Sequence, residues 1–293
     1  MKWLVVLDPI DGLKPKTDTS LAVMARARER GIEVDTATIE LLYFEQGAGA
    51  VACDRDNRSK PTPLGEYDLI FMRKEPPYDL RFHYATQLLS LGNTLVLNSP
   101  SALRNFNEKL IALPFVRYMP PTLVASNPTL IADFVKRHGQ AVIKSLDSFQ
   151  GKSVQKLDHV DADLIASFTG DGSRPVMVQK FLEAVFDGDK RVLVLGDRVL
   201  GAALRKPVRG YHANFANSEA LQTELSEREQ AALDELGPWM VSRGIHFAGL
   251  DFIGGYLTEI NITCPTGIVQ VSELEGRDLA GEIVDYFSDL ARG

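Results

Sequence analysis

The sequence predicts an α/β chain in which a smaller α+β block separates two larger parts, and three observations predict it. Residues 2–118 alternate apolar runs with helical segments, Pro120-Pro121 then breaks the rhythm, and the last third holds a hairpin carrying acids where strands favour β-branched residues. In the first part, Trp3 to Leu7 reads as a strand, Asp18 to Arg30 as a helix and Ile32 to Thr38 as the next strand. Asp68 to Met72 follows as strand, Asp79 to Leu91 as helix and Thr94 to Leu97 as strand. Strands alternating with helices imply βαβ units on a parallel sheet. No G-x-G-x-x-G follows the first strand, so a Rossmann dinucleotide site is excluded. Residues 45–62, charged and flanked by Pro61 and Pro63, read as a mobile surface excursion. After the proline break the α+β block has strands near 141–145 and 175–180. The last part supplies strands, a long helix from Glu224 to Arg243, the acidic hairpin and a closing helix. The expected units are 1–118, 119–184 and 185–293.

Composition bounds the function. A chain of 293 residues with 45% hydrophobic and 24% charged residues has ample core for two or three units. The net charge of −7, with no basic block, argues against nucleic acid as the main partner. No run reaches the length of a membrane span, and the N-terminus turns acidic at Asp8, too soon for a signal peptide. Cys53 and Cys264 form no disulfide framework, which fits a reducing, cytoplasmic setting.

The stretch Gly249-Leu250-Asp251-Phe252-Ile253-Gly254-Gly255-Tyr256-Leu257-Thr258-Glu259-Ile260-Asn261 carries the most chemistry. Strand side chains alternate faces, so Glu259 and Asn261 point the same way. A strict two-residue turn would set Asp251 opposite Thr258, one position out of register. A three-residue loop over Gly254 to Tyr256, or a bulge, would set it opposite Glu259. Asp251, Glu259 and Asn261 would then converge as hard oxygen ligands suited to Mg²⁺, or Mn²⁺ in its place. Isolated strand carboxylates more commonly belong to a solvated face, but the flanking residues are too apolar for a wet ribbon.

Other polar residues look out of place. Lys109 lies in Asn107-Glu108-Lys109-Leu110, at the expected start of a helix, and Lys144 ends the apolar run Ala141-Val142-Ile143. Val176 to Leu182, with Gln179, Lys180 and Phe181, is a buried-looking strand leading into a chain crossing. Arg191 opens the strand after Asp187-Gly188-Asp189-Lys190, and Arg205 ends another. A lysine at a strand end is usually solvated. As a set these residues describe a nucleotide cleft, with lysines on phosphates, an apolar strand edge for a purine and arginines for phosphoryl charge.

The chain resembles the bacterial glutathione synthetases of the ATP-grasp superfamily nearly end to end. The resemblance rests on Asp8-Pro9-Ile10, Met72-Arg73-Lys74-Glu75-Pro76-Pro77-Tyr78-Asp79, Asn107 to Leu110, Asp187 to Val192, Gly249 to Asp251 and Leu257 to Thr266. It implies an ATP-grasp fold with an N-terminal βαβ domain, an α+β lid and a catalytic base. It also implies ATP-driven ligation of γ-glutamylcysteine to glycine through an acyl phosphate. Lys109 and Lys144 match phosphate-binding lysines, and Gln179 to Leu182 match the adenine-binding crossing. Asp251, Glu259 and Asn261 match the Mg²⁺ ligands, Arg191 an arginine near the transferred phosphate, and Arg205 one near the acyl phosphate and substrate carboxylate. Arg73, Asp18 and Ser20 fall where the family contacts its peptide, and the resemblance implies a homo-oligomer, with a tetramer the expected form. No protein nucleophile is needed, in keeping with only five histidines and no Ser-His-Asp or Cys-His set.

Two loops depart from the family pattern. After Lys144, Ser145-Leu146-Asp147-Ser148-Phe149-Gln150-Gly151 has lost most of the glycine that lets amides close on phosphate, and Phe149 obstructs it. Either Gln150-Gly151-Lys152-Ser153 carries the turn or phosphate capture is weaker. After Arg205, the flap Lys206 to Asn217 is short, with one glycine, so a stiffer cover should alter acceptor choice or admit hydrolysis. On this flap, Arg209 and His212 are candidates for contacts to a substrate carboxylate. Cys264 reads equally as a weak donor to substrate or a small packing residue, Cys53 as an inert loop thiol, and Trp239 and Met240 as core. His83 and His246, in no ligand-spaced pair, read as packed or surface imidazoles. Glutathione synthesis leads; an ATP-grasp ligase with another acid–amine pair comes second and a degenerate nucleotide-binding regulator third.

Overall fold

The computed structural model describes residues 1–147, 154–211, 214–215 and 218–293. Its N-terminal sheet has seven strands: β1 Lys2–Val6, β2 Glu33–Ala37, β3 Leu42–Phe44, β4 Ala48–Cys53, β5 Ser59–Pro63, β6 Leu69–Met72 and β7 Leu95–Leu97. The strand order is β3-β4-β2-β1-β6-β7, with β5 paired to β4. Helix α1 (Thr19–Glu29) connects β1 to β2, α2 (Leu80–Leu89) connects β6 to β7, and α3 (Pro100–Asn105) follows. The pairs β1–β2, β1–β6 and β6–β7 are parallel, as the alternation predicts. Alternation in β1 also fixes the layers. Leu4 and Val6 pack with Phe82, Ala85 and Leu89 of α2, while Trp3 and Val5 pack with Val23, Met24 and Ala27 of α1.

The reading of residues 45–62 as a mobile excursion is corrected. Strands β4 and β5 extend the sheet, and Ala48, Ala50, Ala52 and Thr62 are buried. Small alanines at a period of two are a strand signal, and the charged Asp54–Arg58 turn beside them masked it. Cys53 accordingly ends a strand opposite Thr36 and Ser59.

A second sheet joins β8 (Thr122–Ala125), β9 (Ala141–Ser145), β10 (Val154–Leu157) and β11 (Val176–Lys180) in the order β10-β9-β11-β8, all neighbours antiparallel. Helices α4 (Pro128–His138) and α5 (Ala162–Thr169) cover it around a separate core that includes Ile131, Phe134, Ile143, Ile165 and Val178. The third sheet holds β12 (Asp189–Leu195), β13 (Arg198–Pro207), β14 (Ser218–Leu221), β15 (Phe247–Ile253) and β16 (Tyr256–Asn261), in the order β14-β13-β12-β15-β16. With it go α6 (Glu227–Val241), α7 (Ile268–Glu275) and α8 (Leu279–Arg292). A reciprocal capping box between Ser226 and Glu229 starts α6 at Glu227 rather than at Glu224.

The first and third sheets share two apolar cores, whereas the second has its own and also sends Met177 into one of the shared ones. Phe71 of β6 meets Phe287 of α8 at 5.1 Å and Phe247 of β15 at 6.5 Å between ring centroids. Beside these rings Asn98 bolts the two sheets together. Its Nδ2 donates to the carbonyls of Phe247 and Ile262, both at 2.7 Å, and its Oδ1 accepts from His246 N at 2.8 Å and Phe247 N at 2.9 Å. An apolar replacement would leave those main-chain groups buried and unpaired. Asn98→Ala should therefore cost about 3 kcal/mol or more in urea unfolding. A loss below about 1 kcal/mol would show that the joint does not depend on this side chain.

Candidate active site

The hairpin of β15 and β16 turns on Gly254 and Gly255, whose φ values of 56° and 77° suit a two-residue primed turn. Such a turn alone would oppose Asp251 to Thr258. The register instead shifts between Asp251 and Phe252, so that Asp251 faces Glu259 and Gly249 faces Asn261. The bulge, and not a three-residue loop, makes the shift. Thr258 is the extra residue, and its Oγ1 donates to the Asp251 carbonyl at 3.1 Å. Asn261 Nδ2 donates to Gly249 O at 3.1 Å and Asp251 Oδ2 at 3.2 Å, which leaves its Oδ1 as an acceptor.

Strand β12 places Arg191 beside Asp251. Its Nε reaches Asp251 Oδ1 at 2.5 Å and its Nη2 reaches Oδ2 at 3.0 Å, a bidentate pair, while Nη1 donates to Thr266 O at 3.2 Å. A Cβ at position 249 would come within 3.1 Å of the Arg191 side chain, so the glycine there makes room for the guanidinium. On β13, Arg205 Nη2 lies 2.9 Å from Asp189 Oδ2 and 2.9 Å from Asp251 Oδ1. Burial pushes the Asp251 carboxyl up, but Arg191 and Arg205 outweigh it and hold it below the usual range. At Asp189 burial prevails over Arg205 and raises the carboxyl to about 6.

Lys109 is corrected from a helix start to a turn after α3. The Asn107 side chain accepts from the amides of Lys109 (3.0 Å) and Leu110 (3.4 Å), an Asx turn that competes with helix. Glu108 stitches this turn to the end of β16. Its Oε1 accepts from Ile262 N (2.8 Å), Thr263 N (2.9 Å) and Thr263 Oγ1 (2.8 Å), and its carbonyl accepts from Ile260 N at 3.1 Å. Burial, then the charge of Glu259, raises the Glu108 carboxyl. Lys109 Nζ comes to lie 3.4 Å from Glu259 Oε1.

From the second sheet, Lys144 Nζ donates to Gln179 Oε1 at 2.8 Å, and Gln179 Nε2 donates to Thr122 Oγ1 at 3.1 Å. Burial lowers the Lys144 pKa. The crossing that follows is held by Lys180 N on Pro121 O and Phe181 N on Gln140 O, both 2.9 Å. Gln179, Lys180, Phe181 and Leu182 line one cleft with Lys144, Arg191, Arg205, Asp251, Glu259 and Asn261.

The residues expected to touch peptide are placed differently. The Asp18 carboxylate caps α1 through Leu21 N at 2.9 Å. Arg73, only 2% exposed, donates to Ser20 Oγ at 2.9 Å and Pro265 O at 3.0 Å, and stacks over Phe71 and Phe247. Among the described residues, Asp18, Ser20 and Arg73 stand outside the cleft lining, behind Cys264, whose Sγ donates to Arg73 O at 3.3 Å. Arg209 is exposed in the turn after β13 and is also off the lining. Phe149, the Gln150–Ser153 turn and His212 lie outside the described residues. Sequence reasoning missed Glu108, Asp189 and Thr263, although each stands inside a stretch that it had singled out. Trp239 packs edge-on to Phe115 at 5.3 Å, and His83 and His246 bond to Tyr78 and Tyr286.

Among the described residues, no three His, Cys, Asp or Glu side chains form a metal-binding group. The hairpin offers two carboxylates and an amide oxygen instead. That set fits Mg²⁺, which takes few protein ligands and completes its shell with phosphates and water.

A lid sheet whose lysine faces acids on a base sheet, across a cleft closed at one end by the chain crossing, is the arrangement of an ATP-grasp ligase. Solved structures agree on the fold: D-cycloserine synthetase DcsG matches with a TM-score of 0.72 at 16% identity over 99% of both chains. The ATP-grasp ligase PsnB bound to its minimal precursor matches at 0.67 and 21%, covering 97% of this chain and 98% of its own. The chain belongs to the prokaryotic glutathione synthetase family, matching its N-terminal domain over residues 1–104 and its ATP-grasp domain over 108–276. Glutathione synthetase of Gloeobacter violaceus is 41% identical over 100% of this chain and 98% of its own length. That of Prochlorococcus marinus is 38% identical over 97% of each. The protein is an ATP-dependent ligase that makes glutathione. Among the described residues, no helix is long and apolar enough to cross a membrane.

The Lys144 ammonium is costly to desolvate and is retained against that cost. Lys144→Met should raise the apo melting temperature by about 2–4 °C while weakening ATP binding about tenfold or more. Thermal scans and ATP titration check both signs, and a lower melting temperature would mean that the Gln179 hydrogen bond outweighs desolvation.

Proposed function

We propose that the cleft joins γ-glutamylcysteine to glycine through an acyl phosphate, with the units 1–118, 119–184 and 185–293 as substrate domain, lid and base. Lys109 and Lys144 neutralise ATP phosphates, and Gln179 to Leu182 present the crossing to the adenine. Asp251, Glu259 and Asn261 hold Mg²⁺, or Mn²⁺ in its place, which when bound neutralises and orients the phosphates. Arg191 stabilises charge on the transferred phosphoryl group, and Arg205 holds the reacting carboxylate, its buried Nε having no hydrogen-bond partner among the described residues. Arg73, Asp18 and Ser20 support the peptide side from behind the wall, and Arg209 reaches substrate only when the flap moves. Cys264, its thiol pushed up to about 12 by burial, is no nucleophile.

The observation that carries this reading is the shared carboxylate of Asp251. It lies on the metal-binding face of the hairpin and holds both arginines at once. Within the cell we place the enzyme in the cytoplasm as a homo-oligomer, which sedimentation of the purified chain tests. The activity is tested by ADP release with ATP, Mg²⁺ and γ-glutamylcysteine, with and without glycine, identifying the product by mass. Glycine-dependent ADP release matched by glutathione is the expected result, and ADP without glutathione would point to another acid–amine pair. Chelation by EDTA should abolish turnover, and Asn261→Ala should lower kcat roughly 10²-fold with ATP still bound. Full activity in EDTA would refute the metal assignment.

A further inference from the structure

We propose that Asp189 receives the amino group of the acceptor substrate and takes its proton, a role that rests on the acyl-phosphate reading above. Asp189 opens β12 opposite Arg205, and both line the cleft. Only one of its carboxylate oxygens is used. Oδ2 meets Arg205 Nη2 at 2.9 Å, while Oδ1 is buried with no hydrogen-bond partner among the described residues. A buried carboxylate oxygen without a donor is costly, and such groups persist where a ligand completes them. Arg205 has a matching vacancy at Nε. The ion pair therefore holds, in the lining of one cleft, a donor and an acceptor that each lack a hydrogen-bond partner among the described residues. A carboxylate–amine ligase has to bring together one group of each kind.

The other carboxylates of the base are committed. Asp251 accepts from Arg191 and Asn261 and pairs with Arg205, Glu259 pairs with Lys109, and Glu108 accepts from the amides after β16. Glu75 lines the N-terminal wall and makes no ion pair with either arginine. The Arg205 guanidinium at Oδ2 favours the ionised carboxylate, and an ionised carboxylate can accept a proton at its other oxygen. The acceptor arrives as an ammonium. One N–H bond breaks as its proton moves to Oδ1, and the freed lone pair attacks the acyl carbon. The C–O bond to phosphate then breaks with its electron pair going to phosphate, which carries off the second proton as the C–N bond becomes an amide.

The test compares two acceptors in Asp189→Asn. Glycine is an ammonium at neutral pH, whereas hydroxylamine is largely neutral and traps acyl phosphates as hydroxamate without help. Glutathione formation should fall about 10²-fold with a raised KM for glycine. Hydroxamate formation should fall far less, so that the hydroxamate-to-glutathione ratio rises at least about tenfold. If both products fall together, Asp189 acts only by positioning Arg205 and the proposal is overturned. It is overturned equally if glycine kinetics do not change. Absence of hydroxamate from the parent enzyme would instead remove the acyl-phosphate reading itself. Should Asp189→Asn fail to fold, Asp189→Glu keeps the charge but displaces it. The same rise in the ratio is expected of it, and an unchanged ratio would overturn the proposal.

Discussion

The architecture of the site depends on one carboxylate. Asp251 is clamped by Arg191 from β12, approached by Arg205 from β13 and bonded by Asn261 from β16, so four strands of the base sheet are registered on it. Neighbouring features exist to make this geometry work: the bulge at Thr258 that sets Asp251 opposite Glu259, and the missing side chain at Gly249 that admits Arg191. Ion pairs this buried contribute little net stability, because desolvation offsets most of their attraction. Their value is geometric, since they fix two guanidinium groups in the lining of the cleft. Among the described residues that line the cleft, Lys144, Lys180, Arg191 and Arg205 face the carboxylates Glu75, Glu108, Asp189, Asp251 and Glu259, so the cleft's own charges nearly cancel. A triphosphate entering such a cleft has to bring its own counter-charge.

The distribution of apolar cores decides what can move. The first and third sheets share two cores and the Asn98 bolt, so they behave as one body. The second sheet closes its own core around Ile143, Ile165 and Val178, and it adds Met177, with Val124 and Leu146 packed beside it, to a core of that body. It shares fewer apolar contacts with that body than the first and third sheets share with each other.

Much of this was legible in the sequence because it is local or periodic. The βαβ rhythm needs only apolar runs and helix-length gaps, and the facing of Asp251 and Glu259 follows from strand alternation and a bulge. What failed was set by tertiary contacts or by competing local bonds. Lys109 was read onto a helix because its neighbours have helical character, but Asn107 diverts the amides and Glu108 ties the turn to β16, a partner about 150 residues away. The alanines of β4 were hidden by the charged turn beside them. The enclosure of Arg73 by Phe71 and Phe247 was likewise hidden, because no local pattern reveals it. Asp189 was overlooked because a carboxylate next to basic residues reads as solvated, and only the fold shows its Oδ1 sealed from water.

Two aromatic residues of the segment after β13, Tyr211 and Phe215, tie it to both sides of the cleft. Tyr211 Oη accepts from Lys156 N of β10 at 3.2 Å, and its ring meets Phe181 of the crossing edge-on at 6.0 Å. Phe215 lies under the Arg205 guanidinium at 5.5 Å and fills the space beside Gly267, where a Cβ would come within 2.4 Å of the ring. One ring thus rests against the second sheet and its exit crossing and the other against the third sheet, so the two sides of the cleft are joined through aromatic contacts as well as through the main chain at Lys180 and Phe181.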